Sequence, residues 1–155
     1  MSRLSPGRAI FYGTLTVGIL DLLDALLFFG LRGVAPILIP QSIASGLLGG
    51  AAYEGGVATA ALGVGLHFLI AFAIVTTYVI ASRRFPALAR RPLLFGPLYG
   101  LAVYAVMNLI VVPLSAAVVG SKTWPMVVNG VLIHMLGVGL PSALFASAVH
   151  RPESG

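Results

Sequence analysis

The sequence predicts an all-α polytopic membrane protein with four transmembrane helices and a short re-entrant or interfacial helix between the first and second. Three observations predict it. Of the 155 residues, 59% are hydrophobic and only 8% are charged. Mean hydropathy is +1.05. Four apolar stretches each reach the roughly 20 residues that an α-helix needs to cross a hydrocarbon core. Together they occupy most of residues 1–155, so the whole chain is read as a single transmembrane domain.

The predicted spans run from about Ile10 to Leu31, Val57 to Ala81, Leu93 to Val118 and Trp124 to Val149. The first follows Arg3 and Arg8 as a secretory leader would, yet it carries Asp21 and Asp24 and lacks a small-residue cleavage pattern, so it is expected to stay. Between the first two spans, Val34 to Gly56 is too apolar for an ordinary loop. With Pro36, Pro40, Gly46, Gly49 and Gly50 it is also too broken for a fifth span. Its middle, Gln41 to Leu48, can form two helical turns, lying either at the outer interface or dipping back into the protein. In the re-entrant case, backbone amides near Gln41 would point at the membrane interior and favour an anion there. Gly96 and Gly100 are four residues apart, a small-residue pair suited to close helix contact, and Pro113 and Pro141 are expected to kink the third and fourth spans.

Charge sets the expected orientation. Arg3, Arg8, Arg83, Arg84, Arg90, Arg91 and Arg151 fall on one side, against Arg32 and Lys122 on the other. The positive-inside rule therefore puts both termini and the loop between the second and third spans in the cytoplasm. The run Arg83, Arg84, Arg90, Arg91 reads as an anchor for anionic lipid headgroups, and nothing in the net charge of +5 reads as a nucleic-acid footprint. With no cysteine, disulfides, thiolate chemistry and Cys-ligated metals are excluded. The P-loop, the G-x-S-x-G elbow and the dinucleotide fingerprint are all missing, and no enzyme activity is predicted.

Polar residues inside spans cost about 2.5 to 3.5 kcal/mol each on insertion scales when charged, so each marks a candidate site. Here they are Asp21, Asp24, His67, Asn108 and His134. Counted from the arginine on the cytoplasmic side of each span (Arg8, Arg83, Arg91, Arg151), Asp24 and His67 lie 16 residues in, and Asn108 and His134 lie 17 residues in. At 1.5 Å per residue these depths agree to within about 2 Å, which places one polar residue from each span in a single layer. Asp21 extends it by one turn. Gly63 and Gly130 each precede a histidine by four residues, which hints at a two-fold internal repeat.

Short motifs around the layer resemble a known family. His67 is separated by 17 residues from Phe85 and Pro86, Asn108 by four from Pro113 and Leu114, and Trp124 by nine from His134. This pattern, over roughly residues 57–140, resembles the YagU-like bacterial inner-membrane proteins, a four-span family without an established biochemistry. The resemblance implies an inner-membrane address and a shared polar layer. Asn108 stands where the family pattern leads one to expect histidine, which weakens a histidine-rich metal centre.

The layer's own chemistry admits several readings. Imidazole and carboxylate groups in a water-accessible cavity suit movement or sensing of a proton or small ion, in a homo-oligomer given the small protomer. The same groups can instead lock helix register in an accessory or architectural subunit of a larger membrane complex. His67 and His134 on diagonal, parallel spans would suit a bis-histidine haem b, with Gly63 and Gly130 leaving room for the porphyrin. A divalent metal held by His67, His134 and Asp24 is the remaining reading.

Overall fold

The computed structural model describes residues 4–150 of the chain. It is helical, with no strand among the described residues, and four of its helices are long and apolar enough to cross a membrane: Pro6–Gly30 (α1), Gly56–Arg84 (α3), Pro92–Leu114 (α5) and Trp124–Val149 (α6). Two short helices lie between them, Leu38–Leu48 (α2) and Ala87–Arg90 (α4). The α1 start is encoded locally. Ser5 sits in extended backbone and its hydroxyl accepts from the Arg8 amide, while Pro6 supplies a first-turn residue whose missing N–H costs nothing. Thr123 in extended backbone followed by Trp124 and Pro125 begins α6 in a similar way. The predicted spans are recovered with shifted ends; the expected arginines Arg3 and Arg151 lie outside the described residues.

The third span ends earlier than its hydropathy implies. Helix α5 stops at Leu114, and residues 115–123 run without helix. Their backbone groups find other partners: the Ala116 amide donates to the Gly46 carbonyl at 3.0 Å, and the Val118 amide to the Ser45 hydroxyl at 3.3 Å. Both acceptors belong to α2. Backbone pairing with a neighbouring element replaces helix here, and the side chains of Ala116, Val118 and Val119 stay exposed.

Neither proline makes a simple break. Helix α5 widens into a π-turn at Met107–Val111, just before Pro113, and α6 widens at His134–Gly139, just before Pro141. A proline has no N–H for the carbonyl four residues earlier, and its ring presses on that carbonyl; one extra residue per turn relieves both. In α6, the Ser142 hydroxyl then donates to the Val138 carbonyl at 2.7 Å, covering an acceptor within the disturbed turn.

Helix α6 is the hub, packing on α1, α3 and α5, whereas α1 and α5 face each other across it. The dense core lies at the end of the bundle where Arg8, Arg83, Arg84, Arg90 and Arg91 are found, and includes Val17, Val75, Tyr78, Val79, Val103, Val138 and Ala146. Two glycines permit the α5–α6 contact. A Cβ on Gly100 would meet the His134 carbonyl oxygen at 1.9 Å, and one on Gly139 would meet the Gly96 carbonyl oxygen at 2.1 Å. The small-residue pair is therefore consumed within one chain. Beside it, the Tyr99 hydroxyl donates to the Ile74 carbonyl at 2.8 Å and the Tyr78 hydroxyl to the Leu88 carbonyl at 3.1 Å, tying α3 to α5 and to α4.

The opposite end is looser. No residue of α1 beyond Gly18, of α5 from Met107 to Leu114, or of α6 from Trp124 to Ile133 is fully buried. Among the described residues, two side-chain groups are left unsatisfied: the hydroxyls of Thr14 and Thr76 are buried without a hydrogen-bond partner. Replacing either with Val keeps the branched shape and removes a desolvated donor, so Thr14→Val and Thr76→Val should each stabilise the fold by about 1 kcal/mol. Thermal unfolding in detergent measures this, and a lowered midpoint for both would contradict it.

Candidate functional site

The five expected layer residues are all partly buried, and the structure resolves them into separate pairs. His67 on α3 meets α1. Its Nε2 lies 2.9 Å from the Gly18 carbonyl oxygen, and its Nδ1 lies 4.0 Å from Asp21 Oδ2. A carbonyl oxygen can only accept, so Nε2 carries a hydrogen and Nδ1 is the nitrogen turned toward the carboxylate. The imidazole side chain is 11% exposed and the Asp21 side chain 26%, so the pair is shielded on the histidine side and open on the acid side. Gly18 sits under the Phe68 ring, within 2.4 Å of where a Cβ would be, which lets α1 come close enough for its carbonyl to reach His67.

One turn further along α1, Asp24 Oδ2 accepts a 2.7 Å hydrogen bond from Asn129 Nδ2 on α6. On α5, the Asn108 amide nitrogen donates to the Tyr104 carbonyl at 2.8 Å, and its amide oxygen accepts from the Lys122 ammonium. His134 donates from Nδ1 to the Gly130 carbonyl at 2.8 Å, and its ring meets Tyr104 edge-on with centroids 5.4 Å apart.

Asn108 and His134 both sit in the widened turns, so the two prolines that distort α5 and α6 also set the backbone of two layer residues. π-turns recur at functional sites because they reorient side chains that a regular helix holds in register.

Two readings of the layer do not fit this geometry. Among the described residues there is no group of three or more His, Asp and Glu side chains that could hold a metal, and His67, His134 and Asp24 each bond to different neighbours. The haem arrangement fails on space. Helix α3 touches α6 along Leu140–Val149, nearer the arginine end than either histidine. The two glycines are also occupied: a Cβ on Gly63 would lie 1.8 Å from the Pro40 carbonyl oxygen, and one on Gly130 would lie 2.7 Å from the Tyr104 ring. The glycine spacing that hinted at a repeat serves two unlike contacts.

Gln41 is deeply buried, 2% exposed, but its side chain turns to α3. Its Nε2 donates to the Gly56 carbonyl at 3.0 Å and to the Thr59 hydroxyl at 3.2 Å, so it fastens α2 to the first turn of α3 and bonds to no layer residue. Asn129 and Lys122 were not among the sequence candidates. Asn129 carried the signal, being a primary amide inside a predicted span five residues before His134. Lys122 carried only a loop position, and nothing local says that its side chain reaches Asn108. No protein family, curated protein or solved structure matches the chain.

Proposed function

We propose that the chain is a multi-pass protein of the bacterial inner membrane that moves or senses a proton or small cation through its polar layer. The observation that carries this reading is the His67–Asp21 pair. With its Nε2 hydrogen given to Gly18, neutral His67 would turn the Nδ1 lone pair toward an ionised carboxylate at 4.0 Å, an arrangement of mutual repulsion. One proton, on Nδ1 or on Asp21, converts the repulsion into attraction. The pair thus offers two neighbouring atoms, His67 Nδ1 and an Asp21 carboxylate oxygen, either of which can accept a proton.

The packing gradient supplies the path. The arginine end is closed by backbone contact at Gly100 and Gly139 and by the tyrosine bonds, whereas the outer parts of α1, α5 and α6 hold no fully buried residue. Lysine side chains at a membrane boundary ordinarily extend toward water. Lys122 instead reaches along the bundle to Asn108, six residues inside the end of α5, and remains exposed there, as it would beside water. On this reading α2 is a re-entrant piece. Its Pro40 carbonyl rests against Gly63, seven residues into α3, while Ile37, Leu38, Leu47 and Leu48 face outward as lipid-facing residues would. The broken backbone around it is satisfied by α3 and by residues 115–118, as re-entrant segments require.

Both termini and the arginine-rich turn lie in the cytoplasm on this reading, and the layer opens outward. The resemblance to the YagU-like proteins is consistent with this address, and a homo-oligomer would give the small protomer a complete path. The test is a proton-flux assay on the purified full chain in liposomes that hold a pH-sensitive dye. A pH jump should be transmitted faster than in protein-free liposomes. Identical traces would remove proton movement and leave an architectural subunit as the better account.

A further inference from the structure

Away from the polar layer, an apolar groove of about 540 Å³ lies between α1 and α3, lined chiefly by Gly7, Ile10, Phe11, Thr14, Phe68 and Phe72. Its volume falls in the range of ligand pockets, roughly 300 to 1,000 Å³. It opens to the surroundings of the bundle, since Phe11 is 59% exposed and Phe72 47% exposed. The glycine at its end leaves real space: a Cβ on Gly7 would meet nothing within 4 Å.

Two arginines sit at that end of the groove. Arg8 and Leu15, another lining residue, are seven residues apart and share one face of α1; Phe72 and Arg83 are eleven apart and share one face of α3. Helices α1 and α3 run antiparallel, with Gly13 against the Val75 side chain, so Arg83 lies level with the first turn of α1, where Arg8 is. Both arginines are exposed, and neither has an ion-pair partner among the described residues. Among the described residues the acids Asp21, Asp24 and Glu54 all lie nearer the other end of the bundle; Glu153 lies outside the described residues. An apolar slot capped by two exposed guanidiniums is complementary to one kind of molecule.

We propose that this groove binds an anionic membrane phospholipid, one acyl chain lying along Phe11, Phe68 and Phe72 and the phosphate held by Arg8 and Arg83. Guanidinium forks match phosphate oxygens, and basic residues beside a hydrocarbon boundary draw anionic headgroups. The inference is independent of proton movement and stands or falls separately from it.

The test uses full-length protein, delipidated in a neutral detergent, with phosphatidylglycerol or phosphatidylcholine added back. Native mass spectrometry and thermal unfolding are the two readouts. One phosphatidylglycerol per chain should be retained, with a larger rise in midpoint than phosphatidylcholine gives. Arg8→Gln with Arg83→Gln should weaken that retention roughly thirtyfold. Gly7→Leu should fill the groove and reduce retention of both lipids, whereas Gly30→Leu, at the far end of α1 where a Cβ also meets nothing, should leave it unchanged. Equal gains with the two lipids, phosphatidylglycerol retention that survives both the arginine pair and Gly7→Leu, or a second copy of the chain found across this groove would each overturn the proposal.

Discussion

Gly100→Ala should cost about 3 kcal/mol or more. The new Cβ would stand 1.9 Å from the His134 carbonyl oxygen, 2.6 Å from its carbon and 2.7 Å from Met135 Cα. All three are backbone atoms of α6, so no side chain can swing aside, and the helices must separate. Separation is costly because this contact closes the arginine end. Gly139→Ala should behave alike, its Cβ falling 2.4 Å from the Gly100 nitrogen. Once one substitution has pushed α5 from α6, the second meets a gap already opened, so the double variant should lose much less than the two single losses combined. The control is Gly65→Ala, where a Cβ meets nothing within 4 Å; it should stay within about 0.5 kcal/mol of the wild type. Unfolding midpoints and the yield of monodisperse protein in detergent measure all four. A Gly100→Ala protein as stable as Gly65→Ala would contradict the close approach of α5 and α6.

These two glycines also mark how far the sequence could be read. Gly96 and Gly100 announce a close helix contact by spacing alone, but not their partner, because Gly139 lies 39 residues after Gly100 in a turn whose shape depends on Pro141. Hydropathy located the four long helices within a few residues, since length and apolarity are local properties. It failed at Ala116 to Val118, which are apolar enough for a span; what ends α5 is pairing with Gly46 and Ser45, groups about 70 residues earlier in the chain. The polar residues were legible because each is conspicuous in an apolar helix. Their pairing was not. A common depth says nothing about direction around a helix axis, and the widened turns at Asn108 and His134 shift that direction further. Asp21, which spacing placed as an appendage of the layer, is the acid facing a histidine, and Asp24 is bonded to an amide.

That difference separates the two aspartates in function. Asp21→Asn should reduce proton flux in liposomes at least about tenfold, and His67→Gln should do the same, because each removes one of the two sites that share the proton. The geometry survives both changes. An asparagine at 21 can present its amide hydrogens to Nδ1 of His67, and a glutamine at 67 can donate its amide to the Gly18 carbonyl, so unfolding midpoints should remain close to the wild type. The double variant should be no slower than either single, as for two groups acting as one unit. Asp24→Asn is the contrast. Its partner Asn129 offers an amide that can also accept, so a flipped amide pair preserves the link between α1 and α6, and flux should stay within about twofold. Loss of flux in Asp24→Asn equal to that in Asp21→Asn, at unchanged stability, would shift the proton site from the α1–α3 pair to the α1–α6 pair. A drop in stability in all three, with no flux in the wild type, would make both pairs structural.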